Sequence, residues 1–279
     1  MKVKMTKRQD VLPHSSSVRL PFVISLPHCS GLVPQGIRPT LRLNNEEIEQ
    51  STDIGTREIF GSLPARVVCA RWSRLVVDLN RGPSQEDAKG VIALVDYHGR
   101  AVYREGFTPD KQETERRLKE YYRPFHDELQ AALYDSKVKG LFDCHSLYGT
   151  GPVEAPDAGR KRKDIILGNN GNFMGAVSPA LGKTTCPVET LHMIKEVFQR
   201  AGFSVSVNDP YAGGFIATHY GHVLAGTGGI AVQVEINQDL YLEPGTGKLE
   251  TQKLGDVRTK VFQSFKEIAR ELPSREFRC

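Results

Sequence analysis

Gly140-Leu-Phe-Asp-Cys-His145-Ser-Leu is an apolar run that ends on a histidine, and Phe22-Val-Ile-Ser-Leu-Pro-His28-Cys-Ser-Gly31 repeats the pattern upstream. Runs rich in Val, Ile and Leu, bounded by Gly, Pro, Asn or Asp, read as buried strands. An imidazole placed where such a strand gives way to a loop is held by the sheet and open to a ligand. In open α/β sheets, ligands bind outside the carboxyl ends of the strands. Further runs of this kind predict strands over Val18–Leu26, Ala65–Asp78, Val91–Asp96, Gly140–Cys144, Ile165–Leu167, Ser204–Val207 and Gly229–Glu235. Helical patterns fall between them. Lys111–Ser136 interleaves charged and apolar residues, with a break or fresh start at Pro124. Pro187–Ala201 carries Leu191, Ile194, Val197 and Phe198 on one face and stops at Gly202. Asp256–Leu272 aligns Val257, Val261, Phe262, Phe265 and Ile268 on one stripe. Strands alternating with helices predict a three-layer α/β fold with helices on both faces of the sheet.

The 279 residues suffice for a substantial core. No composition shift marks a boundary, so the chain reads as one domain over 1–279, with 1–17 as a loosely ordered tail. A net charge of +4, from 37 basic and 33 acidic residues, is too small to argue for nucleic acid. No apolar run approaches the roughly 20 residues that span a bilayer, and the basic N-terminus lacks the apolar stretch of a signal peptide. The cysteines (Cys29, Cys69, Cys144, Cys186 and Cys279) are odd in number and form no C-x-x-C pair. That argues against a disulfide framework and for a reducing, cytoplasmic setting. Gly149–Lys163 reads as a mobile surface loop whose basic cluster, Arg160-Lys-Arg-Lys163, has no assigned partner.

Two histidines from distant strands can converge on one metal. A catalytic zinc site takes three protein ligands and keeps one position for water. His28 and His145 are the best-placed imidazoles; His14, His98, His126, His192, His219 and His222 lie in less favourable contexts. Asp53, in Gln50-Ser-Thr-Asp-Ile-Gly55, is a candidate third ligand, although the same composition suits a turn or a helix N-cap. Cys29 and Cys144 should point away from a site that their neighbouring histidines face.

Three other stretches carry groups suited to a substrate. Arg71 and Arg74 flank an apolar run that ends at Asn80-Arg81-Gly-Pro, and arginine's planar fork grips carboxylates; at least one of Arg71 and Arg74 is equally well a surface charge. Glu235 interrupts an apolar strand, and a buried carboxylate there suits a general base or an ion pair with an arginine. Asn208-Asp-Pro-Tyr211-Ala-Gly-Gly214 offers a hydroxyl and two glycines, Gly213 and Gly214, that either bring backbone to a ligand or make a tight turn.

In this order these segments resemble the N-formylglutamate amidohydrolase family. The motifs are Pro27-His28-Cys-Ser-Gly31, Thr52-Asp53, Ser73-Arg74 through Asn80-Arg81, Asp143-Cys-His145-Ser, Asn208 through Gly214, and Glu235-Ile-Asn-Gln-Asp-Leu-Tyr241. The resemblance implies one domain with a mixed sheet between helices in the zinc carboxypeptidase-like manner. It implies hydrolysis of N-formyl-L-glutamate to formate and glutamate, late in histidine degradation, on one Zn²⁺ per chain. Carried over, His28, Asp53 and His145 hold the metal, Glu235 is the base for a metal-activated water, and Arg74 polarises the scissile carbonyl. Asn80 and Arg81 grip the substrate, Tyr211 closes over it, and Gly213 and Gly214 belong to the substrate-binding set. Two departures stand out: Gly31 occupies the position where related folds place an acid, and His219 stands where an arginine is expected. Two other possibilities remain at this point, a non-catalytic binder of amino acids or peptides and a cysteine hydrolase using Cys29 or Cys144.

Overall fold

The computed structural model describes residues 19–272; the expected N-terminal tail, the start of the first strand at Val18, His14 and Cys279 lie outside the described residues. Six strands form one mixed sheet in the order β2-β1-β3-β6-β4-β5. They are β1 (Phe22–Leu26), β2 (Arg66–Cys69), β3 (Gly140–Leu147), β4 (Ile165–Gly168), β5 (Val205–Val207) and β6 (Ile230–Asn237). All neighbours run parallel except β4 and β6. The helices are α1 (Asn45–Gln50), α2 (Thr56–Ile59), α3 (Lys111–Arg117), α4 (Arg123–Leu133), α5 (Val188–Arg200), α6 (Phe215–Ala225) and α7 (Thr251–Glu271). Among the described residues no helix is long and apolar enough to cross a membrane.

Every residue of β1, β3 and β6 is buried, as expected of parallel strands covered on both faces. Phe22, Ile24, Leu26, Phe142, Cys144, Ile230, Val232, Val234 and Ile236 share one core with α2, α5 and α7. There Phe265 packs its ring against Phe22, Phe60, Phe142 and Phe198. On the opposite face, Val23, Leu141 and Ala231 pack with α4 and α6. That second face turns polar toward the carboxyl ends: Ser25 pairs with Asp143, Asp143 with Gln233 and His145 with Glu235. Side chains two residues apart share a face of a strand, so the polar groups continue the surface that buries Val23, Leu141 and Ala231.

Several expectations need correction. Only the start of Ala65–Asp78 is strand. From Ala70 the chain leaves the sheet, and Leu75, Val76 and Val77 are buried without ladder partners. Leu75 and Val76 join a third core with Ile37, Leu41, Ile48 and Val102, while backbone bonds such as Val76 N to Ser73 O and Asp78 N to Val91 O satisfy the segment locally. Val91–Asp96 is likewise no strand; it makes an isolated bridge between Val95 and Ala101. Both runs show that burial alone does not specify a ladder. β3 continues past Cys144, so His145 lies within the strand rather than after it, whereas His28 does follow its strand. Pro124 sits in the first turn of α4, where a missing N–H is tolerated, and a π-turn over Leu118–Tyr122 joins α3 to α4. The Gly149–Lys163 segment is not a free loop. Bridges pair Thr150 with Lys161 and Gly151 with Ala158, and Arg162 forms an ion pair with Asp157 in which both side chains are 2% exposed.

Candidate active site

One cavity of about 380 Å³ opens at the carboxyl ends of β1, β3 and β6. Its wall includes each residue singled out above for the site: His28, Asp53, Arg74, Asn80, Arg81, His145, Tyr211, Gly213, Gly214 and Glu235. Arg71 lies elsewhere, exposed and stacked on Trp72. His126 is buried between Leu79 O and the Tyr220 hydroxyl, away from the cavity. His219 stacks on Phe215 and does not line the cavity, so no side chain at this position stands in for the expected arginine.

His28, Asp53 and His145 form a buried group able to hold a metal ion, with one ligand atom from each lying within 4.8 Å of the others. Asp53 occupies a turn but caps no helix: its Oδ2 lies 2.9 Å from His145 Nδ1 and 3.7 Å from His28 Nδ1. Two ligands about 2.1 Å from one tetrahedral ion sit roughly 3.4 Å apart, so the spacing suits a shared ion. Each histidine has its other nitrogen committed to a buried aspartate. His28 Nε2 lies 2.8 Å from Asp78 Oδ1, and His145 Nε2 lies 3.0 Å from Asp143 Oδ2. With Nε2–H donating to a carboxylate, Nδ1 carries the free lone pair, the tautomer a metal ligand needs.

The electrostatics fit a cation as well. Four buried carboxylates, Asp53, Asp78, Asp143 and Glu235, surround the pair of imidazoles. Among the described residues the one guanidinium bonded to any of them is Arg74, 2.6 Å from Asp78 Oδ2. Burial pushes the Asp53 carboxyl upward, yet its contacts with His145 and His28 overcome that and hold it far below the usual carboxylate range. Asp78 is held down in the same way, against its burial, by the charge of Arg74 and by His28. Burial disfavours a charged His145, but Asp143 and Glu235 reverse the balance and raise its pKa. Buried negative charge of this kind calls for a counter-ion. The two-imidazole, one-carboxylate donor set suits zinc.

Glu235 is buried and makes no ion pair among the described residues, which removes the arginine-bridge alternative. Its Oε1 accepts a 2.7 Å hydrogen bond from Gln233 Nε2, and burial raises its pKa above the ordinary 4.5. Arg81 also lacks an acidic partner among the described residues; it donates to Lys89 O, Asn80 O and the Tyr97 hydroxyl. Arg162 approaches the Tyr211 hydroxyl at 3.3 Å and lies over its ring. The Asn80 amide is committed to the protein at both ends, accepting from Ile216 N at 2.8 Å and donating to Asp143 Oδ2 at 3.1 Å. Cys144 points into the core. Cys29 Sγ faces Leu26 O and Arg57, outside the cavity wall. Neither thiol meets the site, so the cysteine-hydrolase possibility loses its geometry. Sequence reasoning missed Asp78, Asp143, Gln233 and Arg162. For Asp143 and Gln233 the signal was present, since each stands two residues before a site residue on the same strand face.

These features define an α/β protein with a metal-competent histidine–carboxylate group in a substrate-sized cavity at the carboxyl edge of a mixed sheet. The chain belongs to the N-formylglutamate amidohydrolase family, whose model matches residues 20–242. Among similar curated proteins, an N-formylglutamate deformylase of Pseudomonas putida is 28% identical over 246 residues, covering 81% of this chain and 83% of the relative. Another, from Pseudomonas aeruginosa, is 30% identical over 247 residues with the same coverage of both chains. The crystal structure of N-formylglutamate amidohydrolase from Ralstonia eutropha JMP134 shares the fold. Its TM-score is 0.68 at 19% identity, covering 93% of this chain and 97% of that one. A gene product of Agrobacterium tumefaciens aligns with a TM-score of 0.61 at 20% identity, over 89% and 92% of the two chains.

Proposed function

We propose that this chain is a metal-dependent amidohydrolase that removes the N-acyl group, N-formyl foremost, from an acidic amino acid such as N-formyl-L-glutamate. The observation that carries the reading is the convergence, in one cavity, of a buried His28–Asp53–His145 group with Glu235 and Arg81, neither of which has an ion-pair partner among the described residues. His28 Nδ1, His145 Nδ1 and Asp53 Oδ2 would hold one Zn²⁺. When bound, the ion supplies Lewis acidity to the scissile carbonyl and to the attacking water.

The remaining chemistry belongs to the side chains. Glu235 takes a proton from the water that attacks the formyl carbon and returns it to the leaving nitrogen, so the amide C–N bond breaks to give formate and the free amino acid. Arg74, fixed by Asp78, faces the cavity as a donor for the developing oxyanion. Arg81 is the positive group available for a substrate carboxylate, because no acid among the described residues forms an ion pair with it. Tyr211, backed by Arg162, and the Gly213-Gly214 backbone complete the wall against which the substrate lies. The compartment is proposed to be cytoplasmic and the ligand a small N-acyl amino acid.

Metal analysis of purified protein, paired with a screen over N-formyl, N-acetyl and N-succinyl amino acids, tests this. One zinc per chain and fastest turnover of N-formyl-L-glutamate are expected. Glu235→Gln should keep its metal and lose about 10²–10⁴-fold in kcat. Ligand binding without turnover and without stoichiometric metal would instead establish the non-catalytic binder.

A further inference from the structure

Gly214 precedes helix α6 at the N-cap position and has no side chain to cap the helix's first amides. Two side-chain amides from elsewhere in the chain do so instead. Gly214 N donates to Gln233 Oε1 at 2.6 Å, and Ile216 N donates to Asn80 Oδ1 at 2.8 Å. Each amide then turns its NH₂ toward the site. Gln233 Nε2 donates to Glu235 Oε1 at 2.7 Å. Asn80 Nδ2 donates to Asp143 Oδ2, the oxygen that also receives His145 Nε2. The Asn80 backbone extends the same hold: its N–H donates to Asp78 Oδ1, the atom that receives His28 Nε2, and its carbonyl accepts from Phe215 N.

We propose that the amino terminus of α6 is the jig of the site, with Gln233 and Asn80 as positioning residues. Gln233 transmits the fixed place of the helix to the Glu235 carboxylate, and Asn80 transmits it through Asp143 and Asp78 to the two histidines. The arrangement rests on the proposed roles of Glu235, His28 and His145. It explains features that those roles leave unexplained. A primary amide accepts from a helix N–H through its oxygen and donates to a carboxylate through its nitrogen at once; glutamate offers no donor and leucine neither group. Gly214 follows from the same geometry, since a Cβ there would collide with the Asn80 amide. The helix gives rigidity that a loop would not, and a site held from an element keeps its geometry more closely than one held from loops. Gln233 also leaves Glu235 Oε2 outside this chain of bonds, so one carboxylate oxygen is anchored while the other is free to take a proton.

The two arms predict separable defects. Gln233→Met removes the anchor of Glu235 together with the acceptor for Gly214 N, and leaves the Asn80 side-chain bonds to Ile216 N and Asp143 in place. It should lower kcat on N-formyl-L-glutamate 10–100-fold while KM stays within about threefold and zinc affinity, read by competition with a chromophoric chelator, stays unchanged. Asn80→Ala removes the anchor of Asp143, and Gly214→Ala displaces it without touching any metal-facing side chain. Both should weaken zinc binding about 10–100-fold, the usual consequence of losing an outer partner of a histidine ligand, in an assay that needs no turnover. Gln233→Met with kcat within twofold of wild type, or Asn80→Ala and Gly214→Ala with unaltered zinc affinity, would overturn the proposal. So would equal losses in kcat and zinc affinity in all three variants, the pattern of a general packing defect. Glu235→Gln measured alongside separates the layers: if that variant stays active, the assignment of the base fails, whereas an inactive Glu235→Gln beside a fully active Gln233→Met rejects the jig. Should Gln233→Met fail to fold, Gln233→Leu likewise removes the donor to Glu235 without adding a charge beside it, with the same kcat loss expected.

Discussion

His145 has Nε2 committed to Asp143 and Nδ1 turned toward Asp53, and that division of labour decides what the ring can do. A carboxylate behind an imidazole fixes its tautomer and orientation and raises its basicity. Asp143→Ala should therefore weaken zinc binding about 10–100-fold while His145 itself is intact. Chelator competition measures this directly, and unchanged affinity would mean that β3 alone orients the ring. The histidines and Glu235 were legible because each is a polar residue set in or at the end of an apolar run. Asp53 was legible only as a turn residue, since its contact with His145 spans 92 positions and no local rule foresees it. The alternation that turns Cys144 into the core also brings Asp143 to the side of His145, so the orienting carboxylate was readable from Asp143-Cys-His145. Asp78 was not: its segment reads as strand, and its meeting with His28 depends on a path that no period encodes.

At the scale of elements, the strands that carry the site were found and the irregular segments between them were not. β1, β3 and β6 are continuous apolar runs because both faces are covered. The 70–80 segment is equally apolar because it, too, is buried, and periodicity cannot distinguish the two. α6 escaped notice for a related reason: its buried stripe, Ile216, Ala217, Tyr220, Gly221 and Leu224, includes Ala and Gly while Val223 stands exposed on the other side, so the sequence lacks the apolar–polar contrast that reveals α5. Gly221 lies inside it because a Cβ would collide with Thr185 and crowd Ala231 of β6, an approach invisible in sequence. α3 shows the electrostatic side of element packing. Arg117 is 1% exposed and is held by Glu113, Val76 O and the Tyr103 hydroxyl. Hydrogen bonds from Arg116 and Arg117, with burial opposing, lower the Glu113 carboxyl from 4.5 to about 2. A carboxylate with a depressed folded pKa contributes stability that is present above its unfolded value and lost as pH falls through the folded one. Glu113→Gln should therefore melt below wild type at neutral pH, and the gap should close as pH falls from about 4.5 toward 2. A gap that persists at the acid end would show that the contribution is packing rather than charge.

Across the whole molecule, the site draws its donors from the end of β1, the turn at Asp53 and β3, and their support from the 70–80 segment, β6 and α6. No short piece of chain contains it, so metal binding and global folding are linked: an ion that binds the folded chain and not the unfolded one stabilises the former by mass action. At free zinc about 100 times Kd the gain is about 2.7 kcal/mol, which corresponds to a rise of roughly 5–10 °C in Tm for a chain of this size. Dialysis against a chelator should lower the melting temperature by that amount and abolish turnover of N-formyl-L-glutamate, and one equivalent of zinc should restore both. The two readouts belong together, because His145 sits on β3 and His28 just beyond β1, strands whose opposite face is the main core. His28→Ala should show the low melting temperature in either condition, with no zinc-dependent shift. The reading of a metal site distributed over the fold would fail if the wild-type chain melted identically with and without zinc while the metal remained bound at one per chain. That result would place the ion on a surface that does not distinguish the folded from the unfolded molecule.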